Sequence, residues 1–474
     1  MFFNSFKFIA FFICVLAIIF AARLSGKNVI VRNIILLSAS YFFYGYFNIG
    51  FTLILLFVTI VNYLGGYALF KHNRHPKSIV AVTSILSLLP LVLYKYALFL
   101  CKSFSALLNL ELEIELLDGL ILPVGISFFT FQALSYTIDV YRQKIVEQPS
   151  PLDFALFVAF FPTILSGPIE KARNLLPQIR KYFLPTSGDI AQGAAIFTWG
   201  LFKKMVIADR LAEYVDWAYA THQYASGATL AVAAIFYSIQ IYCDFSGYSD
   251  MALGVAKALG FDITKNFRQP YFSYTFKSFW RKWHIALTSW FTEYVYFSLG
   301  GSRVKHKIRW IFNISTIFLL SGIWHGAAWS FFAWGALHAL FYLAEHFLGL
   351  QKKNLRWNFI SKALNGLVVF AGVTIAWIFF RIESFSTAAS VIAKIFTDFG
   401  NGFSLGSSSF AFASTVGMLM IMIVYELLIR YKVLNFDVSD YSKTLCRNII
   451  SIVPLLILIA MFGITSDNFV YFKF

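Results

Sequence analysis

The side chains of this sequence that could do chemistry are concentrated in two polar segments of an otherwise apolar chain. The first segment runs from Tyr242 to His284, and the second runs from Ser321 to Trp329. Their polar and aromatic runs read Tyr-Cys-Asp-Phe-Ser-Gly-Tyr-Ser-Asp (242–250), Asn-Phe-Arg-Gln-Pro-Tyr (266–271), Phe-Trp-Arg-Lys-Trp-His (279–284) and Ser-Gly-Ile-Trp-His-Gly-Ala-Ala-Trp (321–329). Ionisable groups are costly inside a bilayer, so each one there suggests a function.

His325 is the strongest candidate for a catalytic group. It follows Arg309 by sixteen residues, and a helical rise of 1.5 Å per residue therefore places it about 24 Å beyond a cytoplasmic Arg309. Gly322 and Gly326 bracket it, which lets backbone or substrate approach closely, and Trp324 precedes it. The alternative is a neutral histidine that hydrogen-bonds between helices.

His284 and Asp244 are the next candidates. His284 follows Arg281 and Lys282, and it either orients a substrate or belongs to an aromatic and basic anchor at the headgroups. Asp244 lies deeper in its apolar run than Asp250, so we expect Asp244 to serve the site. We expect Asp250 to make a contact at a helix end or in a loop.

Three weaker patterns do not add a site. Residues 402–406 fit the hydrolase pattern GxSxG, but no strand precedes them, and that motif needs a strand–turn–helix context. His72 and His75 lie in a basic loop without carboxylates or cysteines, so no metal site is predicted there. No CxxC spacing occurs among the cysteines, so neither zinc nor a disulfide framework is predicted. They are Cys14, Cys101, Cys243 and Cys446.

Composition places the chain in a membrane. Of its 474 residues 59% are hydrophobic and 13% are charged, against about 25% charged in soluble domains. The net charge of +16 comes from basic residues in short connectors, which is typical of cytoplasmic loops facing anionic lipid and gives no reason to expect nucleic acid as a partner. We predict one polytopic membrane domain, 1–474.

The elements that must position the candidate residues are therefore membrane-spanning helices. Apolar runs long enough to cross a hydrocarbon core about 30 Å thick recur along the chain. The predicted spans are 6–22, 33–48, 51–70, 79–100, 119–140, 189–211, 228–256, 310–325, 329–348, 358–381, 408–430 and 448–465.

Loop charge predicts orientation and two re-entrant stretches. Basic loops follow the first and third spans, which places both loops in the cytoplasm and both chain termini outside. Stretches 152–168 and 283–300 have basic residues on both sides, so each is predicted to dip into the membrane and return; 384–397 is a third short apolar stretch. Re-entrant backbone survives only where it lines a cavity or is buried in protein, so the first two predict an internal chamber.

Several motifs in order resemble one known family. They are Ser-Phe-Phe-Thr-Phe-Gln-Ala-Leu-Ser-Tyr (127–136), Phe-Pro-Thr-Ile-Leu-Ser-Gly-Pro-Ile (161–169), the run 242–250, Trp-Arg-Lys-Trp-His (280–284) and Gly-Ile-Trp-His-Gly (322–326). From about residue 120 onward the sequence resembles the membrane-bound O-acyltransferase (MBOAT) family, specifically its bacterial branch that serves alginate, peptidoglycan and teichoic acid modification.

The resemblance implies a fold and a site. The fold would be an all-α integral membrane ring of about 11 to 12 tilted helices around a thinned centre, with two funnels and an MBOAT-like core over 120–474. The essential histidine falls on His325 and the second motif histidine on His284. The candidate site-lining residues are Asp244, Trp324, Gln269 and Asn266.

The C-terminal tail, 466–474, offers a candidate acyl carrier. Its end, Phe-Val-Tyr-Phe-Lys-Phe, is similar to that of a small partner protein in teichoic acid D-alanylation, and the resemblance implies an extracytoplasmic tail in which Tyr471 holds the acyl group. Lys473 departs from that pattern. The alternative is an aromatic tail anchored at the interface.

The function implied is acetyl transfer from a cytoplasmic thioester, acetyl-CoA, to an extracytoplasmic polysaccharide of the alginate or peptidoglycan type. The donor is a substrate, and no bound cofactor or metal is expected. A periplasmic hydrolase-like (SGNH-type) partner would complete the transfer at a bacterial inner membrane, since the chain has no convincing serine nucleophile. D-alanyl transfer from a carrier protein, direct acylation of a lipid or protein, and export of a glycolipid without chemistry stay open as alternatives.

Overall fold

The computed structural model describes residues 1–22, 28–71, 75–109, 119–353, 358–400, 402–431 and 445–464. Within these ranges every regular element is a helix and no strand is present. The all-α prediction is therefore confirmed. Tyr471 and the rest of the predicted tail lie outside the described residues.

The first half of the chain contains the helices up to α9. Their bounds are α1 Phe6–Ala22, α2 Val29–Gly45, α3 Ile49–Lys71, α4 Pro76–Leu108, α5 Ile126–Tyr141, α6 Pro151–Ala159, α7 Ala172–Arg180, α8 Ser187–Phe202 and α9 Asp209–Ala220. A π-helical turn, Lys203–Ala208, joins α8 to α9.

The second half carries both candidate histidines. Its helices are α10 Gly227–Ala258, α11 Phe276–Trp280, α12 Ile285–Trp290, α13 Lys307–His325, α14 Trp329–Phe347, α15 Leu350–Lys353, α16 Phe359–Arg381, α17 Phe385–Thr397, α18 Ser409–Arg430 and α19 Leu445–Phe462. A π-helical turn, Phe291–Tyr296, continues α12.

Five described helices, α3, α4, α10, α16 and α18, are long and apolar enough to cross a membrane. The larger number of spans implied by the resemblance stays a prediction. Two predicted boundaries were wrong. Helix α4 continues to Leu108 through a π-helical turn, Val92–Tyr96, that follows Pro90 inside the helix. The span predicted from residue 119 becomes helical only at Ile126, since Gly125 adopts a left-handed φ of 78°.

The three short apolar stretches form helices that cannot cross a bilayer. Helix α6 has 9 residues and α17 has 13 residues, so at 1.5 Å per residue they span about 14 and 20 Å, less than a hydrocarbon core of about 30 Å. Helix α12 has 6 residues before its π-helical turn. Their return to the same side of the membrane stays a prediction.

The chain divides into two compact units. Residues Met1–Phe197 and Ala252–Thr264 form the N-terminal unit, and Thr198–Met251 and Lys265–Phe474 form the C-terminal unit.

A buried amide ties three helices of the N-terminal unit together. Asn62 of α3 donates to the Ser87 hydroxyl of α4 over 2.8 Å and accepts from the Thr137 hydroxyl of α5 over 2.8 Å. Polar side chains commonly hold helices together in this way in a membrane, where burial of apolar surface against lipid gives no driving force.

Arg32 is one of the basic residues that follow the first predicted span, but it does not lie in a loop. It lies inside α2, it is buried, and its guanidinium donates to the Lys181 carbonyl over 2.9 Å and to the Ile179 carbonyl over 2.5 Å. It therefore caps the end of α7 by satisfying carbonyls that a helix leaves open.

Buried ion pairs hold α10 within the C-terminal unit. Lys204 lies 2.7 Å from Asp209 and 2.7 Å from Asp244, and Lys203 lies 2.6 Å from Asp250. All five side chains are buried. Asp250 therefore lies within α10 and pairs with Lys203 of the π-helical turn. The expected position of Asp250 at a helix end or in a loop was wrong.

Replacing Lys204 by Met should destabilise the protein by about 3–5 kcal/mol, because it leaves two buried carboxylates without their cation. The free energy of unfolding, measured by denaturant titration of the purified protein, tests this. Lys394→Gln is the matched control, since the Lys394 ammonium is partly exposed, lies 4.0 Å from Asp398 and donates to the His222 and Gln223 carbonyls. A Lys204→Met protein as stable as the wild type would contradict the structural role of this network.

Candidate active site

His325 lies at the tip of a tight helical hairpin. It is the last residue of α13, and the chain turns over three residues into Trp329, where α14 begins. A Cβ at Gly322 would collide with the Phe331 carbonyl oxygen, and a Cβ at Gly326 would collide with the Phe331 ring. The glycines therefore make room for α14 rather than for a substrate, and this contact fixes where the imidazole lies.

Aromatic rings surround the His325 imidazole, which is 4% exposed. Its ring centroid lies 4.9 Å from that of Trp324, 5.1 Å from that of Trp334 and 5.2 Å from that of Phe380, and each pair meets edge to face. Such packing holds a ring in one orientation.

His284 occupies a strained turn that Asn266 stabilises. Its φ is 42°, a left-handed conformation that costs a non-glycine residue about 1–2 kcal/mol. The Asn266 side-chain oxygen lies 3.3 Å from His284 Nδ1 and accepts from the Ala286 backbone N–H over 3.2 Å, while the Asn266 carbonyl accepts from the Ile285 N–H over 2.9 Å. The turn therefore forms the start of α12 with His284 pointing to a defined position.

The structure brings the two candidate histidines together. The ring centroids of His284 and His325 are 6.4 Å apart, and the Trp324 ring contacts both, at 6.0 Å from His284 and 4.9 Å from His325. His284 is also buried, against Phe245 at 4.7 Å. Two buried imidazoles at this separation can bracket a reacting group, with one as proton acceptor and the other as orienting hydrogen-bond partner.

The other predicted site residues lie in different places. Asn266 holds His284, as described above. The Asp244 carboxylate is engaged with Lys204 in the buried ion network. Gln269 donates from its amide to the Glu426 carbonyl over 2.9 Å and lines a polar cavity. Tyr471 lies outside the described residues, so its role stays a prediction.

The polar cavity has a volume of about 340 Å³ and adjoins His284. Its wall residue Phe267 lies between the cavity and His284, with ring centroids 6.4 Å apart. Both of its carboxylates have a partner, because Asp250 pairs with Lys203 and Glu426 accepts a hydrogen bond from the Tyr242 hydroxyl over 2.7 Å. The complete lining is Trp199, Lys203, Tyr242, Asp250, Lys265, Phe267, Arg268, Gln269, Tyr425, Glu426 and Ile429.

A second, mainly apolar cavity of about 240 Å³ lies between α11, α12, α13 and α14. Ser321, one helical turn before His325, lies in its wall, and so does Trp280. Neither candidate histidine lines either of these two cavities. Side chains at the walls must therefore move before a substrate in either cavity reaches an imidazole.

Lys282, outside the spanning helices, adds a positive charge near this region that pH can remove. Burial lowers its pKa to about 8, and the Arg430 guanidinium contributes to the lowering. Both side chains donate to the Phe272 carbonyl, over 3.3 Å from Lys282 and 2.9 Å from Arg430. The ammonium is therefore charged at pH 7 and neutral above about pH 8.

The sequence reasoning missed His338, although the signal was available. It is a histidine within the predicted span 329–348, which is the same criterion that singled out His325. His338 is 0% exposed, and its ring centroid lies 4.8 Å from Trp334 and 4.8 Å from Trp280. Trp334 thus separates His338 from His325, which places His338 behind the wall of the candidate site.

Comparison with known proteins gives a consistent result. A model of the membrane-bound O-acyltransferase family matches residues 36–383. A probable alginate O-acetylase AlgI of Pseudomonas syringae pv. tomato is 36% identical over 378 residues, covering 79% of this chain and 71% of that protein. A peptidoglycan O-acetyltransferase of Helicobacter pylori is 33% identical (79% and 75% covered), and a teichoic acid D-alanyltransferase of Bacillus subtilis is 29% identical (62% and 74% covered).

Gly322→Ala should reduce acyl transfer, the activity that these relatives' names state, by about 100-fold, because a shift of about 1 Å in a catalytic group costs this much. The added methyl group would push α13 away from α14 and displace His325. The initial rate at equal amounts of folded membrane protein is the measurement. Gly417→Ala is the control, since no heavy atom lies within 4 Å of a Cβ there. Equal rates for the two variants would show that the hairpin contact does not position His325.

Asn266→Ala should lower the rate about tenfold, an effect of about 1.4 kcal/mol, because His284 loses the acceptor that holds its turn. Asn266→Asp keeps an acceptor oxygen at the same position and should retain more activity than Ala. Asn365→Ala serves as the control, since Asn365 only donates to the Ser361 carbonyl of its own helix. An unchanged rate in Asn266→Ala, measured beside that control, would remove the positioning role.

Proposed function

This chain belongs to the membrane-bound O-acyltransferase family and is a multi-pass membrane acyltransferase, and we propose that it transfers acetyl groups for the O-acetylation of an extracytoplasmic polysaccharide. The proposed donor is acetyl-CoA on the cytoplasmic side, and the proposed polymer is of the alginate or peptidoglycan type. The names of the Pseudomonas and Helicobacter relatives support this substrate class.

One observation carries the proposal: two buried imidazoles lie 6.4 Å apart with the Trp324 ring against both. We assign His325 as the general base. Its neutral imidazole accepts the proton of an acceptor hydroxyl, and the hydroxyl oxygen attacks the thioester carbonyl carbon. The carbon–sulfur bond then breaks, and the imidazolium returns its proton to the departing thiolate. An ester and a free thiol result, so protons and electrons balance.

His284 is assigned to orient the donor carbonyl. Its backbone is fixed by Asn266, and its ring packs against Phe245 at 4.7 Å. Because the Asn266 oxygen accepts from Nδ1–H, the neutral ring presents Nε2 as a hydrogen-bond acceptor. It can accept from an amide N–H of the coenzyme A arm and so hold the thioester carbonyl in a fixed position. The rigidity of this turn is what supports the assignment.

The polar cavity is the proposed entry for the donor. Lys265 and Arg268 lie in its wall with Gln269, and basic side chains suit the phosphates of a coenzyme A thioester. Phe267 stands between this cavity and His284. In the proposed cycle its ring moves aside when the thioester arrives.

The acceptor side of the proposal rests on the family resemblance. Tyr471 is the proposed acyl carrier, and a periplasmic SGNH-type acetyltransferase is the proposed partner that places the group on the polymer. Both would put the enzyme in the bacterial inner membrane. D-alanyl transfer from a carrier protein is the second candidate, and similarity to the Bacillus D-alanyltransferase favours it over transport without chemistry.

His325→Ala should reduce acetyl transfer by at least about 100-fold, the lower end for loss of a general base, while the protein still inserts and folds. The measurement is thiol release from acetyl-CoA by the purified enzyme with its acceptor. His346→Ala is the control, because His346 packs against Trp310 at the far end of α14. Full activity in His325→Ala would refute the assignment.

The donor is tested separately by offering the wild-type enzyme acetyl-CoA or a D-alanyl-loaded carrier domain. Turnover of acetyl-CoA alone supports the proposed function. Turnover of the carrier alone would replace it with D-alanyl transfer and would leave the role of His325 intact.

A further inference from the structure

The apolar cavity combines two features that a membrane lipid would need. Lys277 and Arg281 line it, and most of its other wall residues are apolar or aromatic. The wall residues are Trp280, Leu287, Thr288, Phe291, Thr292, Tyr296, Ile314, Ile317, Phe318, Ser321 and Tyr342. The catalytic assignments above do not use this cavity.

The two cations are only partly balanced by the described residues around them, since one carboxylate, that of Glu345, interacts electrostatically with Lys277. Among those residues, neither Lys277 nor Arg281 forms an ion pair with a carboxylate within 4.0 Å. Glu345, the buried acid of α14, accepts hydrogen bonds from the backbone N–H groups of Phe276 and Lys277. Its carboxylate therefore caps the start of α11. The cavity wall has a positive charge that an external anion can balance.

Phenol hydroxyls add hydrogen-bond donors inside the same cavity, whereas the Thr288 and Thr292 hydroxyls donate to the Trp283 and Thr288 carbonyls. Thr288, Thr292 and Tyr296 line it on the side of α12, and Tyr342 lines it on the side of α14. A glycerol backbone has ester oxygens that accept such hydrogen bonds. The polar groups thus suit a phosphate with ester oxygens beside it.

The apolar depth of the cavity matches an alkyl chain. Along α13 it extends from Ile314 to Ser321, which is about 10 Å at 1.5 Å per residue. A coenzyme A arm, in contrast, carries amides that need partners throughout their length. The polar cavity, with Lys265, Arg268 and Gln269, suits that donor better.

We propose that this cavity binds an anionic glycerophospholipid, with its phosphate between Lys277 and Arg281 and one acyl chain between α12 and α13. Basic pockets between membrane helices on the cytoplasmic side bind such headgroups, and Lys305, Lys307 and Arg309 supply further positive charge at the start of α13. His284 immediately precedes α12 and His325 ends α13. The bound lipid therefore fixes the distance between α12 and α13, the helices next to the two histidines.

The test measures lipid binding to the full-length purified protein. Delipidated enzyme in mild detergent is titrated with phosphatidylglycerol or phosphatidylcholine, and binding is followed by native mass spectrometry and by the shift in thermal midpoint. Wild-type protein should bind phosphatidylglycerol in preference to phosphatidylcholine. The double variant Lys277→Gln/Arg281→Gln should bind phosphatidylglycerol roughly 30-fold more weakly, as expected from about 1 kcal/mol per basic residue.

Two further variants separate this site from general charge effects. Lys265→Gln/Arg268→Gln removes two cations from the polar cavity and should leave phosphatidylglycerol binding unchanged. Ile317→Trp keeps both cations but fills the apolar depth, and it should abolish the preference. Equal binding of the two lipids by wild-type protein, or equal losses in both double variants, would overturn the proposal.

The donor is the competing occupant, and the same variants decide between the two. If acetyl-CoA binding depends on Lys277 and Arg281 while phosphatidylglycerol binding does not, the cavity belongs to the donor and the lipid proposal is wrong. The lipid readout does not require turnover. A failure of the proposed acetyl transfer would therefore leave the lipid result interpretable.

Discussion

The close packing of α13 against α14 is the constraint on which the candidate site depends. Two helices can approach this closely only where side chains are absent, and a Cβ at Gly322 or Gly335 would meet backbone atoms of the other helix. With lipid on the outside, such dispersion contacts replace the hydrophobic effect as the source of helix association. The hairpin tip is consequently rigid, and His325 is the residue placed there. The rigid backbone of the hairpin therefore fixes the orientation of the His325 imidazole.

Charge inside the C-terminal unit obeys a second constraint. A lysine or aspartate buried alone in a low-dielectric interior is strongly unfavourable, so each must find a partner of opposite sign. Lys203 and Lys204 are consecutive, yet they reach Asp250 and Asp244 on α10. The π-helical turn that begins at Lys203 accompanies this pairing, and such turns are frequent at functional sites. The network fixes α10, whose Phe245 packs on His284.

The sequence was sufficient to predict the helical class and most helix positions, for a physical reason. The lengths of the apolar runs and the basic residues of the loops are set directly by the bilayer. The residues around His284 and His325 form continuous motifs. The start of α5 at Ile126 was not predictable from hydropathy, because Gly125 ends an apolar run through its backbone conformation alone. The partners of Lys204 were hidden as well, since they come from two separate helices.

The two cavities suit different occupants, the thioester donor proposed for the polar cavity and the lipid proposed for the apolar one. A thioester waiting in water is open to hydrolysis, so an acyltransferase benefits from a wall that excludes water until the acceptor is in place. Phe267 forms such a wall between the polar cavity and His284. On the other side, Trp280 and Ser321 separate the apolar cavity from the aromatic cage of His325. With solvent and donor in one cavity and an alkyl chain in the other, the two buried imidazoles would stay out of contact with both until side chains of the walls move.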